Sequence, residues 1–289
     1  MTNLRLICFA CVVIGYIFGL FQTAYLYSHA RNIDIKKEGS GNAGTTNMFR
    51  VMGWKAGLIT FLGDIAKLVA AVFLTRIIFL NVLGLPIDMS ALTLYTGTGV
   101  VLGHNFPCYL KFKGGKGVAT SAAIVFCTWD WKYILIGAVI FFGIAFTTKY
   151  VSLSSMCMML SFAIASIIFN TLGITKVAAE WRIDCTIIAC FLAALCIFQH
   201  RSNIGRIVHG TESRFSFKKE KKEAKENGVV VQEQIAENKA ERREFKETKH
   251  EAKEKYHEMK HELRVDKKNA KKAYKKVKKS KPYKRKSNN

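Results

Sequence analysis

The chain has 289 residues, half of them hydrophobic, and a formal net charge of +23 at pH 7. The 72 residues after Phe217 hold 26 Lys/Arg and 13 Asp/Glu but only 18 hydrophobic residues, so residues 1–217 are far more apolar than the average. This excludes an ordinary soluble domain, where charged and apolar residues are mixed along the chain. The eight cysteines exclude a secreted disulfide scaffold: seven lie in apolar runs, with no CxxC pair and no Cys/His spacing suited to zinc.

In chain order, the predicted elements are membrane spans, since a helix needs about 20 apolar residues to cross a bilayer. Leu6 to Ala30 has no formally charged residue and is too long for a cleaved signal. Ala56 to Ile87 is apolar apart from Asp64, Lys67 and Arg76, and Met89 to Leu110 and Tyr150 to Thr175 carry no Asp, Glu, Lys or Arg. Between them, Gly117 to Trp129 and Tyr133 to Thr148 form either two short helices around a Trp129–Lys132 turn or one broken hairpin. Cys185 to Gln199 closes the series. The expected fold is an all-α integral membrane protein of seven transmembrane helices, or five if the doubtful pair does not cross. Residues 1–217 form the membrane domain, and 218–289 a Lys/Glu-rich tail, helical or disordered.

Loop charge orients the spans. The segments 31–55, 111–117 and 200–214 are rich in Lys/Arg, whereas the loops around Pro86 and Glu180 have few or none. The positive-inside rule then places the N-terminus outside a cell membrane and the tail in the cytoplasm. Three polar segments share the cytoplasmic side. The first, Gly39 to Arg50, holds Gly39, Gly41 and Gly44 among Ser40, Asn42, Thr45, Thr46 and Asn47, a loop whose amides can approach an anion closely. Its letters also satisfy the dinucleotide fingerprint, but a basic stretch precedes it where that site needs a buried strand. The second, Gly103 to Thr120, contains Lys113-Gly114-Gly115-Lys116-Gly117. It lacks the P-loop frame, yet paired glycines should bare amides, Lys116 supplies a cation, and a helix starting near Val118 adds its dipole. Lys111 reads as a membrane anchor, and His104 reads equally as a core histidine. The third, His200 to Glu212, follows the last span, and Ser152 to Ser155 adds hydroxyls on the same face. His200 can act as acid, base or phosphate donor near neutral pH. Together these segments suggest a site for an anionic substrate at the membrane surface.

The strings at 39–50, 103–120, 149–155 and 200–212 resemble, in order and spacing, the signature segments of the acyl-phosphate:glycerol-3-phosphate acyltransferases, the PlsY family. The resemblance covers residues 4–212 and departs mildly at Thr45 and Gly205. It implies an enzyme of phospholipid synthesis that moves a fatty acyl group from acyl phosphate to the 1-hydroxyl of sn-glycerol 3-phosphate, giving lysophosphatidic acid and phosphate. No cofactor or metal is expected. By resemblance, Arg50 and Lys116 bind phosphate. Gly39, Ser40, Gly41, Asn42 and Asn47 of the first loop, Gly114, Gly115 and Gly117 of the second, and Ser152 join them as substrate- and phosphate-binding residues. Ser152, His200 and Asn203 complete the pocket, and Glu212 locks the last motif. Ser40, Arg50, Lys116, His200 and Asn203 form the catalytic set. The base is open between His200 and the substrate's own phosphate.

Two alternatives compete. His29-x4-Asp34 matches the catalytic motif of acyltransferases that use acyl thioesters, although no strand–helix domain surrounds it. A transporter of phosphorylated metabolites is the other, disfavoured because no pair of broken helices marks an inverted repeat. Asp64 and Lys67, at i and i+3, are expected to pair toward the bundle interior. The tail has no apolar stripe of useful width on this reading. Its end, Lys267 to Lys286, carries twelve bases and no acid, which suits an anionic membrane surface better than nucleic acid.

Overall fold

The computed structural model describes residues 2–128, 130–215 and 217–280. Trp129, at the expected turn, and residues 281–289 of the basic end lie outside them. Among the described residues ten α-helices run in chain order: α1 Thr2–Gly19, α2 Thr23–His29, α3 Thr45–Arg76, α4 Met89–Asn105, α5 Val118–Cys127, α6 Trp131–Thr148, α7 Val151–Leu172, α8 Arg182–Gln199, α9 Arg201–Val208 and α10 Phe217–Ser280. Among the described residues there is no strand, so the glycines at 39–44 cannot be a strand-to-helix dinucleotide turn.

Among the described residues, five segments are long and apolar enough to cross a membrane: Leu4–His29, Thr45–Val82, Trp131–Thr148, Val151–Leu172 and Ala179–Gln199. The doubtful pair resolves into the ten-residue α5 and the full-length α6. α4, of 17 residues, is almost wholly enclosed by its neighbours. The outer surface is apolar: Leu6, Phe9, Val13 and Ile17 of α1 and Leu135, Val139, Phe142 and Phe146 of α6 are exposed at helical spacing. Such continuous apolar stripes suit hydrocarbon as solvent.

Small residues set the central packing. Gly15 and Gly19 of α1 lie against Gly99 and Gly103 of α4, and rising numbers meet rising numbers, so the two helices run parallel. A Cβ at Gly15 would stand 2.1 Å from the Thr96 carbonyl oxygen, and one at Gly99 would stand 2.1 Å from that of Val12. Backbone-to-backbone approach of this kind replaces the hydrophobic driving force that is missing between helices in lipid.

α3 is bent at Gly53, whose φ of 82° is open to glycine and strained for other residues. Its first segment, Thr45 to Met52, therefore turns away from the span proper and packs Phe49 onto Gly57, where a Cβ would stand 2.3 Å from the ring. The structure thus corrects one expectation: Thr45 to Arg50 are helix, not loop.

The chain divides into two compact units, Met1–Gln232 and Glu233–Asn289. In the second, the described side chains are exposed along a single helix.

Candidate active site

A cavity of about 890 Å³ opens among α3, α5, α6, α7 and the segment after α8. Its polar wall includes Ser40, Asn42, Arg50, Lys116, His200 and Asn203. Its apolar wall includes Phe126, Ile134, Ala138, Phe141, Phe142 and Met158. Residues far apart in sequence thus meet in one place.

Helix ends explain the electrostatics. α3, α5 and α7 begin at Gly44, Gly117 and Tyr150 without a side-chain cap. The first two residues of each, Thr45 and Thr46, Val118 and Ala119, Val151 and Ser152, line the cavity. Opening amides of three helices therefore point their positive dipole ends at one space. α4 and α6, by contrast, begin under Asp88 and Asp130, whose carboxylates accept from their first-turn amides, and neither aspartate lines the cavity.

The first glycine loop is a scaffold around Asn47. The Asn47 Oδ1 accepts from the Ser40 amide at 2.8 Å, and its Nδ2 donates to the Glu38 carbonyl at 3.0 Å. Gly39, at φ 58°, leaves room for this: a Cβ there would stand 2.4 Å from Asn47 Oδ1. Asn47 thus positions the loop, and Ser40 and Asn42 are carried to the cavity rim.

The second loop departs from expectation. The amides of Gly114 and Gly115 are not bared; they donate to the Asn105 and His104 carbonyls at 3.0 and 3.1 Å. The two residues are glycine because the loop presses on the end of α4, where a Cβ would stand 2.0 Å from His104 O and 2.2 Å from His104 Nε2. Their effect is to aim Lys116 and the α5 terminus.

Lys116 donates to Asn203 Oδ1. Burial, with Arg206 nearby, pulls its pKa down to about 8. Asn203 Nδ2 donates to Glu212 Oε1 at 2.6 Å, the Ser152 hydroxyl donates to the same oxygen at 2.6 Å, and Arg206 Nε donates to Oε2 at 2.7 Å. One carboxylate thus ties α7 and α9 to Lys116, and these three hydrogen bonds outweigh burial to hold its pKa below the usual carboxylate range. Ser152, expected on phosphate, has its hydroxyl proton on Glu212. Arg206 was missed by sequence reading, where it resembles another positive-inside anchor; it lines the cavity.

His200 lies past the end of α8 with its Nδ1 2.8 Å from the Cys196 carbonyl oxygen. A carbonyl only accepts, so Nδ1 carries the proton and Nε2 a lone pair. Burial lowers its pKa to about 4, which keeps the ring neutral at physiological pH. At the cavity floor, Lys67 Nζ donates to Asp64 Oδ1 at 2.8 Å and to His104 Nδ1 at 2.7 Å. The expected inward pair is therefore a triad. Its ammonium fixes the other tautomer at His104, leaving Nε2–H as a donor.

His29 and Asp34 do not line the cavity. His29 stacks on Tyr25, and Asp34 accepts from the Lys36 amide. Among the described residues no cluster of His, Cys, Asp and Glu could hold a metal ion.

The arrangement can hold anionic groups beside a neutral base and an apolar slot. The sequence profile described as glycerol-3-phosphate acyltransferase matches residues 9–210. This chain belongs to that family. It is 39% identical over 210 residues to the glycerol-3-phosphate acyltransferase of Thermoanaerobacter sp. (strain X514), covering 72% of this chain and 96% of that one. It is 38% identical over 217 residues to the enzyme of Bacillus cytotoxicus, covering 75% and 99%. Two crystal structures of PlsY, an integral membrane glycerol 3-phosphate acyltransferase, superpose on it. The glycerol 3-phosphate form does so with a TM-score of 0.59, 31% identity, and 72% and 96% coverage. The lysophosphatidic acid form gives 0.58 and 31%, with 72% and 95% coverage. The chain is accordingly an integral membrane acyltransferase of phospholipid synthesis, and the transporter alternative falls.

Proposed function

We propose that this enzyme takes acyl phosphate as donor and sn-glycerol 3-phosphate as acceptor, and releases lysophosphatidic acid and inorganic phosphate. The observation that carries the reading is the division of one cavity into a cationic half and an apolar half. Two phosphates need the first: Arg50, Lys116 and Arg206 offer cations, and the α3, α5 and α7 termini offer amides. An acyl chain needs the second. Phe126 and Phe142 both line the cavity and are exposed, so the wall between α5 and α6 is where this reading takes the chain out to lipid.

Acyl phosphate is already activated, and no acyl-enzyme is required. The 1-hydroxyl oxygen attacks the acyl carbon, a C–O ester bond forms, and the bond to phosphate breaks with its electrons on the leaving oxygen. Holding both substrates in attack geometry supplies much of the rate, and cations stabilise the charge that develops on the carbonyl and leaving oxygens. Two acceptors serve the hydroxyl proton: neutral His200 at Nε2, and the substrate's own phosphate. The cavity hydroxyls of Ser152 and Ser155 donate to Glu212 and to the Val151 carbonyl, which argues against either as an activated nucleophile.

In this reading the N-terminus is outside the plasma membrane and the motif loops are cytoplasmic. The alternation of loop charge and the parallel run of α1 and α4 support it. Residues 1–217 suffice for turnover, and the tail, 218–289, meets the anionic membrane surface. The test is an acyltransfer assay on the purified full chain with acyl phosphate, acyl-CoA and acyl carrier protein donors side by side. Turnover with acyl phosphate alone is expected. Turnover with thioesters that collapses in both His29→Ala and Asp34→Ala would transfer the reaction to the other motif.

A further inference from the structure

The tail sequence shows no apolar stripe of useful width when read segment by segment, but α10 runs unbroken through Ser280, and its continuity changes that. Phe245, Tyr256, Met259, Leu263 and Tyr274 are spaced 11, 3, 4 and 11 residues apart. At 3.6 residues per turn these intervals bring all five onto one narrow face, and all five are exposed. Charge is sorted around it. Lys246, Lys253, Lys260 and Lys267 recur every seven residues along one flank of the stripe, where Lys249 and Arg264 join them. Glu247, Glu251, Glu254 and Glu258, spaced 4, 3 and 4, occupy the opposite face, which Lys272 and Lys276 join further along.

We infer that residues 245–276 form an interfacial helix that lies in the plane of the anionic membrane, with the aromatic stripe in the headgroup–acyl boundary, the lysine flank on lipid phosphates and the glutamate face toward solution. This deepens the membrane contact proposed above for the tail by assigning it a face and a depth. The occupant must be apolar and anionic at adjacent positions, as a bilayer interface is. A second copy of the helix fits poorly. Lys249 and Asp266 interrupt the seam, and in a parallel pair Lys260 would face Lys255, so that only Lys246 and Lys267, facing Glu241 and Glu262, would find opposite charge. RNA would engage the bases but has no use for five exposed apolar side chains backed by acids.

The full chain, reconstituted in vesicles of phosphatidylcholine alone or with phosphatidylglycerol, would be followed by the rate of tryptic cleavage between 246 and 276. Cleavage about tenfold slower in the anionic vesicles is expected, from combined charge and apolar contact. Met259→Asp/Leu263→Asp should abolish the protection, whereas Glu251→Gln/Glu258→Gln, on the solution face, should leave it intact. Salt-reversible protection that ignores the Met259/Leu263 change would overturn the assigned face while leaving simple electrostatic adhesion standing. Equal cleavage in both vesicle types would overturn both. Protection in neutral vesicles that grows with protein concentration, or protection lost on nuclease treatment, would assign the face to a second copy or to RNA instead.

Discussion

Replacing Glu212 by Gln tests whether one carboxylate holds the polar half of the site together. Its two oxygens accept from Ser152 and Asn203 at 2.6 Å and from Arg206 at 2.7 Å. Gln keeps one oxygen and turns the other position into an NH2 group. That group faces either Arg206 Nε or Asn203 Nδ2, both donors with nothing to accept it. At least one charge-assisted hydrogen bond is lost, about 1.5–3 kcal/mol. Asn203 in turn accepts from Lys116, so the loss reaches the cation, and kcat/KM for glycerol 3-phosphate should fall about 10- to 150-fold. The assay is steady-state acyltransfer at fixed acyl phosphate, with Asn203→Ala and the double variant alongside. Because Glu212 acts through Asn203, the double variant should be little worse than the poorer single one. Wild-type kinetics for Glu212→Gln, or fully additive losses, would refute the coupling.

Four further outcomes are expected. Arg50→Ala and Lys116→Ala should each lose about 10- to 150-fold in kcat/KM, and Arg50→Lys should rescue poorly because it lacks the bidentate fork. The wild-type KM for glycerol 3-phosphate should rise above about pH 8, where Lys116 in the empty site sheds its proton; a KM unchanged from pH 7 to 9.5 would remove Lys116 from phosphate binding. Gly99→Leu should lower the thermal midpoint in detergent sharply, since even a Cβ there would stand 2.1 Å from the Val12 carbonyl oxygen, and an unchanged midpoint would contradict the α1–α4 seam. A chain ending at Phe217 should insert and keep near-normal turnover, and loss of catalysis after proper insertion would make the tail part of the active unit.

Much of this was legible in the sequence because each signal was local. Long uncharged runs mark spans, the glycine and amide run at 39–47 marks a tight loop, and Gly117 ahead of an apolar run marks the helix start near Val118. What escaped depended on tertiary contact. Gly114 and Gly115 look like an anion nest, and only the packing of the loop on His104 shows that their amides are taken. Arg206 looks like an anchor until Glu212 folds back onto it. Asp64 and Lys67 show in the sequence as a pair, but His104, 37 residues on, is visible as the third member only once α3 and α4 are side by side. The Gly15/Gly19 and Gly99/Gly103 spacings did carry a signal, a small residue every fourth position in two apolar runs. The bend at Gly53 carried none, because a lone glycine before a span has many uses.

The most direct test of single-step transfer is to mix the purified full chain with acyl-labelled acyl phosphate, first alone and then with glycerol 3-phosphate. No label should remain on the denatured protein in the first stage. In the second it should appear in lysophosphatidic acid, with one phosphate released per acyl group moved. Label held covalently by the protein and chased into lysophosphatidic acid when glycerol 3-phosphate is added would contradict direct attack in a shared cavity.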